Sequence, residues 1–195
     1  ANDMAIDTKE RTFEEEIEYC LSSIGKKSEK YAKGNPIDFD RKMAMDKKAV
    51  IAFVKDTQPD KWNVLCKRHG TDVEEGFIKR LNDELNNRGM IDVLRHGITD
   101  LGVEVRLAFF KPGSGMNKSA TALYEKNVLQ ITRQVKYSEA NENSIDSVIF
   151  LNGLPIITIE LKNPLTGQTY RDAIAQYQND RNPREALLTF KKRAL

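Results

Sequence analysis

Apolar residues in the first part of the chain recur at the spacing of α-helices. Phe13 to Ile24 predicts a helix with Thr12 as its N-cap. Residues 1–12 are polar and are expected to be frayed. Three more helices are predicted: one capped by Asp38 or Asp40 that ends near Val54, a short one from Asp60 to Arg68, and one capped by Thr71 or Asp72 that stops at Gly89.

The pattern changes after Gly89, where β-branched and aromatic residues begin to alternate with polar ones. The predicted elements are strands at Met90 to Ile98, Val103 to Phe110, Val128 to Tyr137 and two within Ser144 to Asn163, with helices at Ala120 to Lys126 and Thr169 to Gln178. No linker divides the chain. We therefore predict an α/β (α+β) fold with one domain over residues 13–195, mainly helical over 13–89 and sheet-rich over 90–195.

The stretch from Ser144 to Asn163 predicts a β-hairpin with charged residues at its open end. Side chains alternate between the two faces of a strand, so position along the strand assigns each residue to a face. One face carries apolar residues: Ile145, Ile149 and Leu151 on the first strand, and Ile157, Ile159 and Leu161 on the second. The other face carries Asp146, Glu160 and Lys162. Three polar side chains are thus expected to converge on one side of the hairpin.

This convergence constrains the turn at Asn152-Gly153. A strict two-residue turn would point Asp146 away from Glu160, because the opposed residues would then have opposite parity. The sequence therefore predicts an odd-length loop or a one-residue bulge near Leu151 to Leu154, with Gly153 supplying a positive φ.

Paired carboxylates of this kind are typical ligands of a hard metal ion. Asp146 and Glu160 would repel each other unless a cation lay between them, and oxygen ligands select Mg²⁺ or Mn²⁺. Such a metal polarises a phosphodiester and activates water, and Lys162 is placed to orient that water or neutralise developing charge. The alternative is a salt-bridged strand end. Glu14, which borders the apolar stripe of the first helix, is either a third metal ligand or a residue that suits the helix dipole.

Composition narrows the possible classes of protein. The 195 residues are 39% hydrophobic and 31% charged, as in ordinary globular domains. No signal peptide or membrane-spanning run is present, which favours a cytoplasmic protein without membrane contact. Cys20 and Cys66 lack metal-site spacing, which argues against a zinc site. His69 and His96 are the only histidines, so a multi-histidine metal site is excluded.

A net charge of +2 is too small to indicate nucleic-acid binding by itself. Local basic patches are the candidates for phosphate contacts: Lys26 and Lys27, with Lys30 and Lys33, in an early loop, and Arg181 and Arg184 in the C-terminal tail. A solvated surface is the alternative for each patch. The stretch Pro112 to Ser119 is similar to a phosphate-binding loop but has Pro112 and Asn117 where that loop requires glycine, which argues against nucleotide binding.

Several segments together resemble the N-terminal nuclease region of the R subunit of type I restriction–modification enzymes. They are FEEEIEYCL, FVKDTQPDKW, LRHGITDLGVEVRLAFFKPGSG, ITRQVKYS, VIFLNGLPIITIELKNPLTGQT and AIAQYQNDRNPRE, which cover nearly all of residues 13–195. That family belongs to the PD-(D/E)xK nucleases. The resemblance implies a mixed central sheet flanked by helices, as in restriction endonucleases.

The resemblance also implies roles for individual residues. Asp146 and Glu160 match the metal ligands of the family, and Lys162 matches its catalytic lysine. Gln176 matches the glutamine of the QxxxY motif, but the tyrosine position holds Asp180. The motif is therefore half present, and Tyr177 and Arg181 are the alternatives for its DNA contact.

Family R subunits continue into an ATP-driven translocase. This sequence contains no Walker A motif, so it is expected to be a fragment without that motor. The resemblance implies a Mg²⁺-dependent endonuclease acting on double-stranded DNA, with Mn²⁺ as a substitute metal and ATP used only by the missing motor. It also implies methylation (M) and specificity (S) subunits as partners. The alternative is a non-catalytic docking or DNA-binding domain of the same complex.

Overall fold

The computed structural model describes residues 2–23, 31–113, 117–161, 171, 174–175, 182, 184–189 and 193–194, and their side chains from residue 11 onward. Its α-helices are α1 (Asn2–Ser23), α2 (Lys47–Thr57), α3 (Pro59–His69), α4 (Val73–Arg88), α5 (Met90–His96) and α6 (Lys118–Glu125). Short 3₁₀ turns cover Pro36–Asp38, Gly70–Asp72 and Ala186–Leu188. Of the helix predicted over 169–178, residues 171, 174 and 175 are described, and all three are helical.

The strands are β1 (Ala32–Lys33), β2 (Phe39–Asp40), β3 (Met45–Asp46), β4 (Ile98–Asp100), β5 (Val103–Val105), β6 (Leu129–Lys136), β7 (Ser144–Leu151) and β8 (Leu154–Ile159). Four of them form one sheet in the order β1-β6-β7-β8, with β1 parallel to β6 and the other pairs antiparallel. The remaining strands form two small hairpins, β2–β3 and β4–β5. This is the mixed sheet with helices that the sequence predicts.

Local signals place most helix ends correctly. Pro59 separates α2 from α3, and Gly89 ends α4 with a φ of +87° that glycine adopts without strain. The N-cap of α2 is the exception. It is Asp46, whose Oδ1 accepts a hydrogen bond from the amide of Ala49 at 3.0 Å, rather than Asp38 or Asp40. Helix α1 begins at Asn2, ahead of the predicted cap at Thr12.

The strand predicted over Met90 to Ile98 is wrong, because residues 90–96 form helix α5. Met90, Val93 and Leu94 are all buried, and they lie on one side of a helix rather than alternating along a strand. Glycines at 89 and 97, with φ of +87° and +74°, bracket the helix. Gly97 donates its amide to the carbonyl of Val93 at 2.7 Å and so ends it.

The next predicted strand, Val103 to Phe110, is shorter than expected and ends at Val105. The side chain of Gln58 explains why the strand ends at Val105. Its Oε1 accepts from the amide of Arg106 at 2.8 Å, and its Nε2 donates to the carbonyl of Arg106 at 2.9 Å. A buried glutamine from the α2–α3 junction thus takes both backbone groups that a neighbouring strand would otherwise pair.

Two hydrophobic clusters hold the described residues together. The larger joins helices α2 to α5 with β4 and β5, and its biggest members are Phe53, Trp62 and Phe77. The smaller lies against the sheet and contains Phe39, Ala44, Val135, Tyr137, Ile145, Val148, Phe150 and Leu187. Leu154, at the start of β8, belongs to the larger cluster, so the β7–β8 turn enters the helical layer.

The β7–β8 turn is buried and hydrogen-bonded on every side. Asn152 and Gly153 have φ of +52° and +87°, as in a type I′ turn. The Asn152 amide nitrogen Nδ2 donates to the carbonyl of Leu107 at 2.9 Å, and its Oδ1 accepts from the amide of Val128 at 2.7 Å. The carbonyl of Gly153 accepts from the amide of Asp46 at 2.9 Å. These bonds fix the base of the hairpin against the helical layer.

An exposed ion cluster connects the β2–β3 hairpin to the loop between β6 and β7. Arg41 binds the carboxylate of Glu142 through both terminal nitrogens, at 3.0 and 3.4 Å, and Lys136 makes an ion pair with the same group. The hydrogen bond from Arg41 and then that from Lys136 lower the pKa of Glu142 from 4.5 to about 2. Since the folded pKa is the lower one, the stabilisation is complete above pH 4.5 and disappears as the pH falls towards 2.

We therefore expect Glu142→Gln to lower the urea midpoint of unfolding modestly at pH 7, and the difference from wild type to shrink between pH 4.5 and pH 2 and in high salt. Glu139→Gln is the matched control, because Glu139 is exposed in the same loop and makes no ion pair with any residue in the described part of the chain. A difference that stays constant over this pH range would contradict the assignment.

Candidate active site

The bulge that the sequence predicts lies in the β7–β8 hairpin. Ile149 pairs with Ile157, whereas Phe150 pairs with Pro155, so Ile156 is the extra residue in β8. The bulge is thus confirmed, two residues beyond the predicted interval, next to a regular two-residue turn. Beyond it Ser147 pairs with Ile159, and continuing this register by one residue sets Glu160 opposite Asp146. Directly opposed residues point to the same face of a sheet.

Asp146 is anchored to the end of β8 by its own side chain. Its Oδ2 accepts a hydrogen bond from the backbone amide of Leu161 at 2.6 Å. Asp146 and Glu160 are both half-buried. One carboxylate oxygen of Asp146 is therefore held beside the residue that follows Glu160, which keeps the two acidic residues together at the open end of the hairpin.

The faces of the hairpin differ in part from the prediction. Ile145 and Ile149 are buried as expected, but Ile157 on the same face is 40% exposed. The opposite face of β7 is also buried, through Val148 and Phe150. Because β7 lies between β6 and β8 and is covered on both sides, Asp146 stands at the end of a buried row rather than on an open polar face.

Helix α1 presents a polar face to the sheet instead of the predicted apolar stripe. Phe13 is 50% exposed and Cys20 is exposed, whereas Glu14 is 6% exposed. Ion pairs explain the orientation, since Arg133 on β6 lies 3.5 Å from Glu15 and 3.9 Å from Glu18. These glutamates thus contact the sheet directly. Because α1 begins at Asn2, they lie in the middle of the helix, where the helix dipole does not account for them.

Glu14 is connected to the candidate site through β6. Its Oε1 accepts a hydrogen bond from Nε2 of Gln134 at 2.8 Å, and Oε1 of Gln134 accepts from the hydroxyl of Ser144 at 2.9 Å. Sequence reasoning did not select Gln134 or Ser144. A glutamine and a serine within strand patterns carry no signal of their own, and only the packing of α1 on β6 brings them to the site.

The described residues suit a hard metal ion by their chemistry. Asp146 and Glu160 supply carboxylate oxygens at positions that the continued register places opposite each other. Glu14 supplies a third carboxylate, which is hydrogen-bonded to Gln134 of β6. Mg²⁺ usually takes one or two carboxylates and keeps several waters. In the described ranges no three His, Cys, Asp or Glu side chains stand close enough together to form a complete metal cage.

Several predicted site residues lie outside the described part of the chain. These are the candidate catalytic Lys162 and Gln176 and the candidate DNA contacts Lys26, Lys27, Tyr177 and Arg181. Arg184 is described and exposed, and its backbone amide donates to the side-chain oxygen of Asn182 at 3.0 Å. Lys33, from the same basic loop as Lys26, pairs with Glu18 of α1 at 3.2 Å.

A groove of about 1000 Å³ lies between α2 and α4, away from the candidate site, and several lysines line it. Lysines of its rim are largely neutralised by acidic neighbours: Lys47 pairs with Asp40, Lys48 with Asp38 and Lys55 with Glu74. Acidic side chains also line the groove itself. The groove therefore has no strong excess of positive charge and is not a candidate phosphate site.

Among the helices that the structure describes, none is long and apolar enough to cross a membrane.

Helices packed with a mixed sheet are consistent with an α/β nuclease-like fold. Comparison with known sequences is more specific. The family described as the type I restriction enzyme R protein N terminus matches residues 62–192. The chain belongs to this family.

One relative is the "Putative type I restriction enzyme MjaVIIIP endonuclease subunit" of Methanocaldococcus jannaschii, which is 32% identical over 117 residues. The match covers 57% of this chain and 11% of the relative, so the chain corresponds to a small part of that protein. No solved structure matches the chain.

Proposed function

We propose that this chain is the Mg²⁺-dependent endonuclease domain of a type I restriction–modification R subunit and hydrolyses phosphodiester bonds of double-stranded DNA. The observation that carries the proposal is the register beyond the bulge, which sets Glu160 opposite Asp146 with the Leu161 amide bound to Asp146. The register supports the proposal because the D…ExK motif of PD-(D/E)xK nucleases needs both carboxylates on one face, and Lys162 would be the lysine of that motif.

Asp146 and Glu160 would hold the metal, with Glu14 as a third carboxylate. When bound, Mg²⁺ polarises the phosphodiester and lowers the pKa of an attacking water. The hydrogen bond from the Leu161 amide holds Oδ2 of Asp146, and Oδ1 would be the oxygen offered to the metal. Lys162 would orient the water and neutralise charge on the phosphate in the transition state.

Basic and polar residues around this centre would hold the DNA backbone. Arg184 is exposed, and Lys26, Lys27 and Arg181 are the other candidate phosphate contacts. Gln176 and Tyr177 would contact DNA beside the catalytic lysine, in place of the complete QxxxY motif. Phosphate contacts of this kind position DNA without selecting a sequence, so sequence choice would belong to the M and S subunits.

ATP would act elsewhere in the full-length subunit. The relative from Methanocaldococcus jannaschii is about nine times longer than the matched region, which leaves room for an ATP-driven motor. Mn²⁺ would substitute for Mg²⁺ at the cleavage site, because both prefer oxygen ligands.

Glu160→Gln tests the role of the second carboxylate. In the full-length enzyme we expect plasmid cleavage to fall about a hundredfold or more, since a lost electrostatic contact to the transition state typically costs this much. ATP hydrolysis should stay at the wild-type rate. Glu104→Gln is the matched control, because Glu104 is an exposed strand glutamate on β5. Wild-type cleavage by Glu160→Gln would contradict the proposed metal site.

A further inference from the structure

Gln134 has a backbone conformation that is unusual for a strand. Its φ is +51°, in the left-handed region, although it lies within β6. For a residue other than glycine this conformation costs about 1–2 kcal/mol. Gln134 is exposed, so burial of its side chain does not offset that cost. Backbone strain of this kind concentrates at functional sites.

The strained residue stands directly beside Asp146. Arg133 pairs with Ser147 and Val135 pairs with Ile145, so the position between them, Gln134, faces Asp146 across the β6–β7 ladder. The direct pairing is interrupted at this one position. The left-handed backbone at Gln134 therefore interrupts β6 at the position opposite the candidate metal ligand on β7.

Both ends of the Gln134 amide are used. The nitrogen donates to the buried carboxylate of Glu14, and the oxygen accepts from Ser144. Ser144 and Asp146 are two residues apart on β7 and so share one face of the strand. The Gln134 side chain therefore reaches the face that carries Asp146, with Glu14 bound to its other end.

We propose that Gln134 is a positioning residue that holds the Glu14 carboxylate beside Asp146 for metal binding. The inference rests on the proposed function, since it assigns Gln134 a role at the same metal site. An amide is suited to this task because it donates to one partner and accepts from the other while carrying no charge. Groups that orient metal ligands typically contribute about tenfold to a hundredfold in metal affinity.

Gln134→Asn and Gln134→Gly separate the side chain from the backbone. Both residues accept a positive φ, but asparagine is too short to bridge Glu14 and Ser144, and glycine has no side chain. Gln130→Asn is the matched control, because Gln130 lies on the same strand and its side chain donates to the hydroxyl of Thr132 rather than to Glu14 or Ser144. A role confined to the backbone kink predicts unchanged metal binding in both Gln134 variants.

The measurement is Mn²⁺ binding to the full-length enzyme without ATP or DNA, from the electron paramagnetic resonance signal of free Mn²⁺. Asp146→Asn identifies the fraction of binding that belongs to this site. We expect both Gln134 variants to bind Mn²⁺ at this site about tenfold more weakly, with thermal midpoints close to wild type and Gln130→Asn unchanged. In Glu14→Gln enzyme the Gln134→Asn change should have little further effect, because the two residues act as one unit.

The outcomes separate this inference from the proposed function. If Mn²⁺ binding depends on Asp146 but both Gln134 variants bind like wild type, Gln134 is not a positioning residue and the nuclease assignment stands. If Asp146→Asn changes neither Mn²⁺ binding nor DNA cleavage, the metal site itself is wrong. Weaker binding in the Gln134 variants that persists in full in the Glu14→Gln background would show that Gln134 does not act through Glu14.

Discussion

Asp146→Asn is expected to reduce DNA cleavage by the full-length enzyme about a thousandfold, because a metal ion contributes several kcal/mol to the transition state and 1.36 kcal/mol is tenfold in rate. Asparagine has nearly the shape of aspartate, and its side-chain oxygen can still accept from the Leu161 amide, which lies 2.6 Å from Oδ2 of Asp146. The substitution therefore removes the charge while preserving the local hydrogen bond. Plasmid cleavage and ATP hydrolysis are measured in parallel.

Asp83→Asn serves as the control for this experiment. Asp83 is exposed on α4, in a different layer from the β7–β8 hairpin, so the same chemical change should leave cleavage unaffected. Lost cleavage with normal ATP hydrolysis supports the nuclease assignment. Full cleavage by Asp146→Asn would instead favour a domain that docks or binds DNA without catalysis.

Gly153→Ala should destabilise the protein by roughly 2–5 kcal/mol, the sum of left-handed backbone strain and overpacking. A Cβ at this position would lie 2.6 Å from the carbonyl oxygen of Asp46 and 2.7 Å from the amide of Val50. Both are backbone atoms at the start of α2, so neither can rotate away. Urea unfolding followed by the fluorescence of Trp62, which is buried in the helical core, measures the loss.

Gly102→Ala is the matched control, because Gly102 occupies the same position of the same kind of turn. Leu101 and Gly102 join β4 to β5 with φ of +44° and +77°. A Cβ at Gly102 would meet only the end of the Arg68 side chain, at 3.2 Å. We expect a loss of about 1–2 kcal/mol from the backbone conformation alone. Equal losses in the two variants would mean that the β7–β8 turn is not fixed against α2.

Local patterns were sufficient to predict the hairpin and its irregularity. The alternation of isoleucine and leucine around Asn152-Gly153 required a bulge for Asp146 and Glu160 to share a face, and Ile156 supplies it. Helices α3 and α4 were predicted equally well, because proline and glycine at their ends act on the backbone of their own neighbours. Such signals extend over only a few residues and do not depend on the rest of the fold.

Residues 90–105 show where a local pattern is ambiguous. A short apolar run suits a helix or a buried strand, and Met90 to His96 became helix α5 because its apolar residues face the helical core. The length of β5 depends on Gln58, which is far away in sequence and takes the hydrogen bonds of Arg106. Neither the helical state of residues 90–96 nor the length of β5 can be predicted from the residues of the segment alone.

The candidate site likewise has features that the sequence predicts and features that only tertiary contacts create. Asp146, Glu160 and the need for a bulge follow from residue type and strand parity, which are properties of the sequence alone. Burial of Glu14 and its bond to Gln134 exist only because α1 packs on β6, and the bond between Gln134 and Ser144 joins β6 to β7. Parity acts between neighbours along one strand, whereas these contacts join residues that are distant in sequence, so only the assembled fold could reveal them.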